Sequence, residues 1–211
     1  MRFHETVEDV LGSSTKIRVL RLFCRTGGSH TGREIARLID RYPDTTNRAL
    51  NSLERQGILK RDYAGPSHIY SLNKDHLLVK KAIVRLFDVE QNALLYISKV
   101  FMDQLAEDFL KAVIFGSVAK KRERPNSDID VLIIVQDSVD LEDIDEKINE
   151  ATVLSTFATG NPVMPLVEHI STYEKKKKAK KKEGFWKDIF DTKETITYTR
   201  DYIEDYGQEG L

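Results

Sequence analysis

Asp128 and Asp130 open an apolar run that continues to Val135. On an extended strand, residues two apart face the same side, so both carboxylates project together while Ile129 and Val131 point the other way. Acids placed side by side repel, and each raises the other's pKa unless a cation lies between them. Mg²⁺ supplies that charge and accepts one or two protein carboxylates together with phosphate oxygens and water. Gly116-Ser117 ends an earlier apolar run, residues 112–115. A glycine directly after a strand lets backbone approach a ligand, and the amide and hydroxyl that follow can donate to phosphate oxygens. Lys120, Lys121, Arg122 and Arg124 add positive charge to the same loop. Together these residue types can hold a metal–nucleoside triphosphate.

The elements needed to position them are a strand, a polar loop and a second strand. Gly-Ser, ten residues, then D-x-D resembles the signature of the DNA polymerase beta-like nucleotidyltransferase superfamily, in particular its minimal nucleotidyltransferases with a GSxAxG…SDIDL pattern. The resemblance implies that Gly116 and Ser117, with Ser127 beside them, hold the triphosphate, and Lys120 of the basic cluster is expected to bind nucleotide with them. It implies that Asp128 and Asp130 ligate Mg²⁺ (or Mn²⁺), with a third carboxylate on a later strand. Val118 and Lys121 stand where that pattern carries Arg and Gly. Beyond a helix over 141–157, the turn Gly160-Asn161-Pro162 leads into a strand over 163–170 whose one acid is Glu168. Glu168 is therefore the expected third carboxylate, as metal ligand or general base. The activity implied is transfer of a nucleoside monophosphate from a triphosphate, ATP being the expected one, to a hydroxyl acceptor with release of pyrophosphate. The acceptor is not legible: relatives of the minimal type include antitoxins that adenylylate partner toxins, so a toxin or other protein stands beside a small molecule.

Two hundred and eleven residues, 40 % hydrophobic and 32 % charged, suffice for one large domain or two small ones. The overall charge of −1 hides an asymmetry: residues 1–75 carry a net +4 and the remainder a net −5. The change of sign suggests two units with different partners. A single cysteine, Cys24, excludes an internal disulfide, and the scattered histidines (His4, His30, His68, His76 and His169) give no metal-ligand spacing. No apolar run reaches membrane-spanning length, and the first residues lack a secretory pattern, so a cytoplasmic protein with no membrane partner is expected.

The basic unit reads as three helices and a hairpin. Residues 15–25 have helical apolar spacing and stop at Gly27-Gly28. Thr31-Gly-Arg-Glu34 reads as a capping box before a short helix with Ile35, Leu38 and Ile39 inward. Tyr42-Pro43 ends that turn, and Asp44 is expected to cap a third helix with Ala49, Leu50 and Leu53 inward. Strands follow over 58–63 and 68–72. This order resembles a winged helix-turn-helix domain of prokaryotic transcription regulators. The resemblance implies DNA binding, with Thr45, Thr46, Arg48, Asn51 and Arg55 outward on the recognition helix and Lys60, Arg61 and His68 on the wing.

Residues 76–110 read as one or two connecting helices, and their apolar stripe serves packing or a homodimer. Ser171-Thr-Tyr-Glu174 reads as a second capping box, followed by seven lysines in eight positions, most simply a solvated helix face. The expected fold is thus α+β in two domains: a winged helix over 1–75, the connection over 76–110, and a nucleotidyltransferase fold over 111–211 with a mixed sheet flanked by helices. The expected function is a DNA-binding regulator with a Mg²⁺-dependent nucleotidyltransferase domain. Its rivals are a regulator that senses nucleotide without turnover and a protein-interaction adaptor. An acid beside Asp128 and Asp130 favours turnover, and an apolar residue there favours sensing.

Overall fold

The computed structural model describes residues 6–65, 67–179, 184–190 and 194–207. They divide into two compact units, 1–91 and 92–211. The boundary falls inside the stretch read as a connection, whose first part packs with the first unit and whose second part builds the core of the second.

The first unit opens with α1 (Thr6–Leu11), which the sequence pattern did not announce, and α2 (Ser14–Thr26). Ser13 caps α2 by accepting from the Lys16 amide at 3.2 Å. A short strand, β1 (Ser29–Thr31), then leads to α3 (Gly32–Leu38) and α4 (Pro43–Arg55). Only half of the expected capping box forms at α3. Thr31 Oγ1 accepts from the Glu34 amide at 3.3 Å, while the Glu34 carboxylate lies 3.4 Å from His30 Nδ1. Pro43 opens α4 rather than closing the preceding turn, and the N-cap is Tyr42, not Asp44. A ring with its φ already helical and no amide to satisfy suits the first helical position. β2 (Leu59–Ala64) and β3 (Ser67–Leu72) form the expected hairpin, and β1 adds to it in the order β1-β3-β2. Val19, Leu20, Phe23, Ile35, Leu50, Leu53 and Ile58 make the core, together with Val79, Ile83 and Phe87. Leu38, expected inward, is 49 % exposed.

A π-helical turn, Val79–Ile83, runs into α5 (Val84–Leu105). β4 (Phe109–Phe115), α6 (Gly116–Ala119), β5 (Ile129–Val135), α7 (Asp145–Thr159), β6 (Val163–His169), α8 (Ile170–Lys178), α9 (Phe185–Ile189), β7 (Ile196–Thr199) and α10 (Arg200–Gly207) follow. The sheet has the order β6-β5-β4-β7 and is mixed, with β5 and β6 parallel and the other pairs antiparallel. β7 carries only four residues and no long apolar run, and the sequence pattern did not reveal it.

β5 is apolar at nearly every position because the sheet is covered on both faces. Ile129, Val131, Ile133 and Val135 join Phe101 and Leu105 of α5, Ile148 and Ala151 of α7 and Ile203 of α10. Leu132 and Ile134 join Tyr173 of α8 and Trp186 and Ile189 of α9 on the other face. The second capping box does not form. His169 is the N-cap of α8, and the Ser171 amide donates instead to Asp137 Oδ1 at 3.0 Å. That bond holds the Asp137 carboxyl below its ordinary range. Lys175, Lys176, Lys177 and Lys178 end α8, whereas Lys180, Lys181 and Lys182 lie outside the described residues.

Candidate nucleotide site and candidate nucleic-acid face

β4 and β5 pair so that Phe115 stands opposite Asp130, which brings the Gly-Ser turn after one strand against the acids that start the other. The fit is close. Gly116 has φ +71°, and a Cβ there would lie 2.0 Å from Asp130 Oδ2. The carboxylate therefore rests directly over the glycine Cα, a position that any side chain at 116 would fill. Asp128 is exposed and Asp130 half-buried. Burial, and after it the neighbouring Asp128 charge, raise the Asp130 pKa above its ordinary value. This is the electrostatic condition that a divalent cation relieves.

The Gly-Ser loop keeps its turn although it departs from the GSxAxG pattern. Lys121 stands where that pattern has Gly and adopts φ +55°. Its amide donates to Val118 O at 3.1 Å and the Arg122 amide to Ser117 O at 2.9 Å. Local hydrogen bonding thus holds a side-chain-bearing residue in the left-handed region. Ser127 serves the turn into β5: its Oγ accepts from the Arg124 amide at 2.9 Å, and its carbonyl accepts from Asn161 Nδ2 at 2.9 Å. The Ile129 amide donates to Pro162 O at 2.8 Å, so the turn before β6 anchors the aspartates. Asn161 was not singled out in the sequence, where it reads only as a turn residue.

Glu168 is not brought to the pair. Asp130 stands in register with Met164, and Glu168 with Ile134 at the far end of β5. Glu168 lies four residue steps along the strand from Met164, roughly 13 Å at the usual rise per residue. The expectation of a third carboxylate at Glu168 is corrected accordingly: the register set by Ile129 opposite Val163 places a thioether, 52 % exposed, beside Asp130. Among the described residues, no group of three or more His, Cys, Asp or Glu is arranged to hold a metal ion. The donors present fit a cation carried by a phosphate ligand, with two protein carboxylates and the remaining positions left to phosphate oxygens and water.

Lys120 has partners that the sequence did not indicate. Its Nζ lies 2.9 Å from Asp188 Oδ1 of α9 and 3.4 Å from Glu194 Oε2, while Arg122 approaches Glu194 at 3.8 Å. Their separation in sequence, 68 residues for Asp188, hides this pairing from any local pattern.

In the first unit, Thr45, Arg48, Asn51 and Arg55 are exposed on α4 at spacings of three and four, and so share a face. Thr46 does not: it is fully buried, and its hydroxyl donates to Tyr42 O at 3.1 Å. Asn47 is exposed beside this face and was missed. Arg55 Nε donates to Asn51 O. Lys60 pairs with Asp75 at 3.2 Å and Arg61 with Glu54 at 3.4 Å, which tempers the positive charge of the hairpin. Arg33, Arg37 and Arg41 line a cavity with Tyr42 and Pro43, a basic group that helical spacing alone could have revealed. Among the described residues, no helix is long and apolar enough to cross a membrane.

No curated protein matches the chain. Among solved structures it is similar to the AntR antimony-specific transcriptional repressor, at 18 % identity and TM-score 0.35 over 42 % of this chain and 74 % of that one. It is similar to a toxin-antitoxin crystallised with AMP-PNP, at 22 % identity and TM-score 0.30 over 36 % of this chain and 56 % of that one. It is also similar to TrmBL2, an archaeal chromatin protein, at 18 % identity and TM-score 0.28 over 84 % of this chain and 70 % of that one. Residues 96–196 match the family Polymerase beta, Nucleotidyltransferase, and the second unit thus carries a nucleotidyltransferase domain of that family.

Proposed function

We propose that the protein is a DNA-binding regulator whose nucleotidyltransferase domain binds a metal–nucleoside triphosphate, with nucleotide occupancy shifting its DNA-competent population. The observation that carries the nucleotide reading is the Asp130 carboxylate seated over Gly116, with Asp128 immediately before the same strand and Met164 in register with Asp130 on β6. In this reading Asp128 and Asp130 hold Mg²⁺ or Mn²⁺, and the Gly116-Ser117 backbone and the Ser117 hydroxyl donate to phosphate oxygens. The cation, when bound, supplies the positive charge that offsets both acids and the phosphates. Gly116 keeps the space above its Cα open for the Asp130 carboxylate, and the Asn161 bond to Ser127 O fixes where β5 begins.

The second reading is nucleotidyl transfer, favoured by the family match over 96–196. An acceptor hydroxyl would attack the α-phosphorus, the new O–P bond forming as pyrophosphate leaves and the hydroxyl proton passes to a base. With Glu168 at the other end of β5, binding without turnover is the simpler expectation. The test incubates the full chain with Mg²⁺ and each labelled triphosphate, reading bound label, pyrophosphate and labelled acceptor separately. Asp128→Ala with Asp130→Ala is expected to weaken binding by at least about tenfold, as losses around metal centres do. Equal binding by wild type and the double variant rejects this site. Pyrophosphate release lost in the double variant selects transfer over sensing.

The DNA reading assigns the first unit as a winged helix, with α4 presenting Thr45, Arg48, Asn51 and Arg55 to base edges and phosphates and the β2–β3 hairpin presenting Lys60 and Arg61. Arg48→Ala with Arg55→Ala is expected to weaken binding to selected genomic fragments and to flatten the salt dependence by about two phosphate contacts. Unchanged affinity and slope in this double variant removes α4 as the recognition helix.

A further inference from the structure

Lys120 directly follows α6, the short helix that Gly116-Ser117 begins, and its amide donates back to Gly116 O at 3.2 Å, so its backbone is part of the loop that would surround a triphosphate. Its ammonium group is nonetheless already held. Asp188, 51 % exposed, and Glu194, 34 % exposed, both pair with it, and its own side chain is drawn in to 19 % exposure. The Asp188 hydrogen bond, with Glu194 after it, raises the Lys120 pKa above its ordinary value. Arg122, the next cation of the loop not in the left-handed turn, shares Glu194. The two acids come from a different part of the chain, the segment running from α9 to β7. α9 itself is fixed by Trp186 and Ile189 packed on the sheet face that carries Leu132 and Ile134.

This arrangement has an electrostatic consequence for the site proposed above. An anionic ligand gains from Lys120 only by displacing carboxylates that hold the ammonium at hydrogen-bonding distance, and those carboxylates also add negative charge near a pocket that must accept phosphates. We propose that Asp188 and Glu194 form an acidic latch on Lys120 that competes with the triphosphate and sets the nucleotide affinity of the domain. The proposal rests on the nucleotide-binding reading. It makes Asp188 and Glu194 the groups that respond when nucleotide binds, since Lys120 can pair with phosphate only as they let go.

The test measures Mg²⁺–ATP binding to the full chain by titration calorimetry at fixed ionic strength. Asp188→Asn with Glu194→Gln keeps side-chain shape and is expected to tighten binding by about 1.5-fold to fivefold for each pair removed, the range for exposed ion pairs. The same two substitutions placed on Lys120→Gln should give a clearly smaller gain, because the acids then hold only Arg122, through Glu194, and act only by their own charge. Thermal melts of each variant establish that folding is retained. A double variant that binds as wild type does, or more weakly, overturns the latch while leaving the nucleotide site standing. An equal gain on the Lys120→Gln background also overturns it, since the effect would then be general charge. Binding in neither wild type nor the latch variant rejects the nucleotide reading and the latch with it.

Discussion

Gly116→Ala is expected to weaken Mg²⁺–ATP binding at least about tenfold, the loss typical of disturbed metal surroundings, and to lower stability as well. Two separate effects act at this position. A residue with a Cβ held at φ +71° costs roughly 1–2 kcal/mol in the left-handed region. The new methyl group would in addition stand 2.0 Å from Asp130 Oδ2 and 3.0 Å from its Cγ. Asp130 cannot retreat easily, because β5 is paired with β4 at Phe115 and with β6 at Met164. Either the carboxylate swings off the glycine or the loop lifts from the strand, and both separate the acids from the Gly-Ser backbone. Gly160→Ala is the control. It has φ +75°, but no described atom lies within 4 Å of its Cβ position, so it carries the backbone cost alone. Denaturant melts should show both variants destabilised, and calorimetry should show binding lost only in Gly116→Ala. Wild-type affinity in Gly116→Ala would mean that Asp130 over the glycine is irrelevant to the ligand.

Trp186→Ala is expected to cost about 3–5 kcal/mol, the range for truncating a buried aromatic. Trp186 is 8 % exposed and stacks on Phe190 at 5.6 Å, with Phe185 at 4.6 Å and Tyr173 at 6.5 Å. α9 is five residues long and begins at Gly184 without a side-chain cap, so intrinsic helix propensity cannot sustain it. Tertiary packing holds it in place, and it carries Asp188. Losing the indole should therefore do more than lower the denaturation midpoint: it should free Lys120 and reproduce part of the latch phenotype. Circular dichroism against denaturant measures the first effect and nucleotide titration the second. A stability change under about 1 kcal/mol would place Trp186 among tolerant surface-like positions and contradict its packing.

Which elements exist was largely legible in the chain. α2, α4 and the hairpin announce themselves through apolar spacing and glycine stops, and β4, the loop and β5 through two apolar runs flanking a polar insert. What failed were boundaries decided by distant partners. Ser171 looks like a cap because Glu174 follows it at the right distance, yet Asp137, 34 residues earlier, takes the Ser171 amide. Thr46 looks like a donor on a polar helix face, but its position turns toward Ala49, Leu50 and Leu53 and it is buried with them. β7 is too short and too polar to be read without the strand it joins.

The candidate site divides in the same way. The sequence by itself determined that Gly116-Ser117 and Asp128-x-Asp130 belong to one strand–loop–strand unit, because that information is local: a two-residue period puts both acids on one face, and a glycine marks where backbone must be uncovered. Whether a third acid meets them was not local. It depended on the register between β5 and β6, which pairs Asp130 with Met164 and carries Glu168 to the far end. The partners of Lys120 were equally hidden, since Asp188 and Glu194 reach it only after α9 has packed on the sheet and β7 has joined β4. Spacing fixes which side chains share a face; pairing between strands and packing of helices fix which faces meet, and only the folded chain decides the latter.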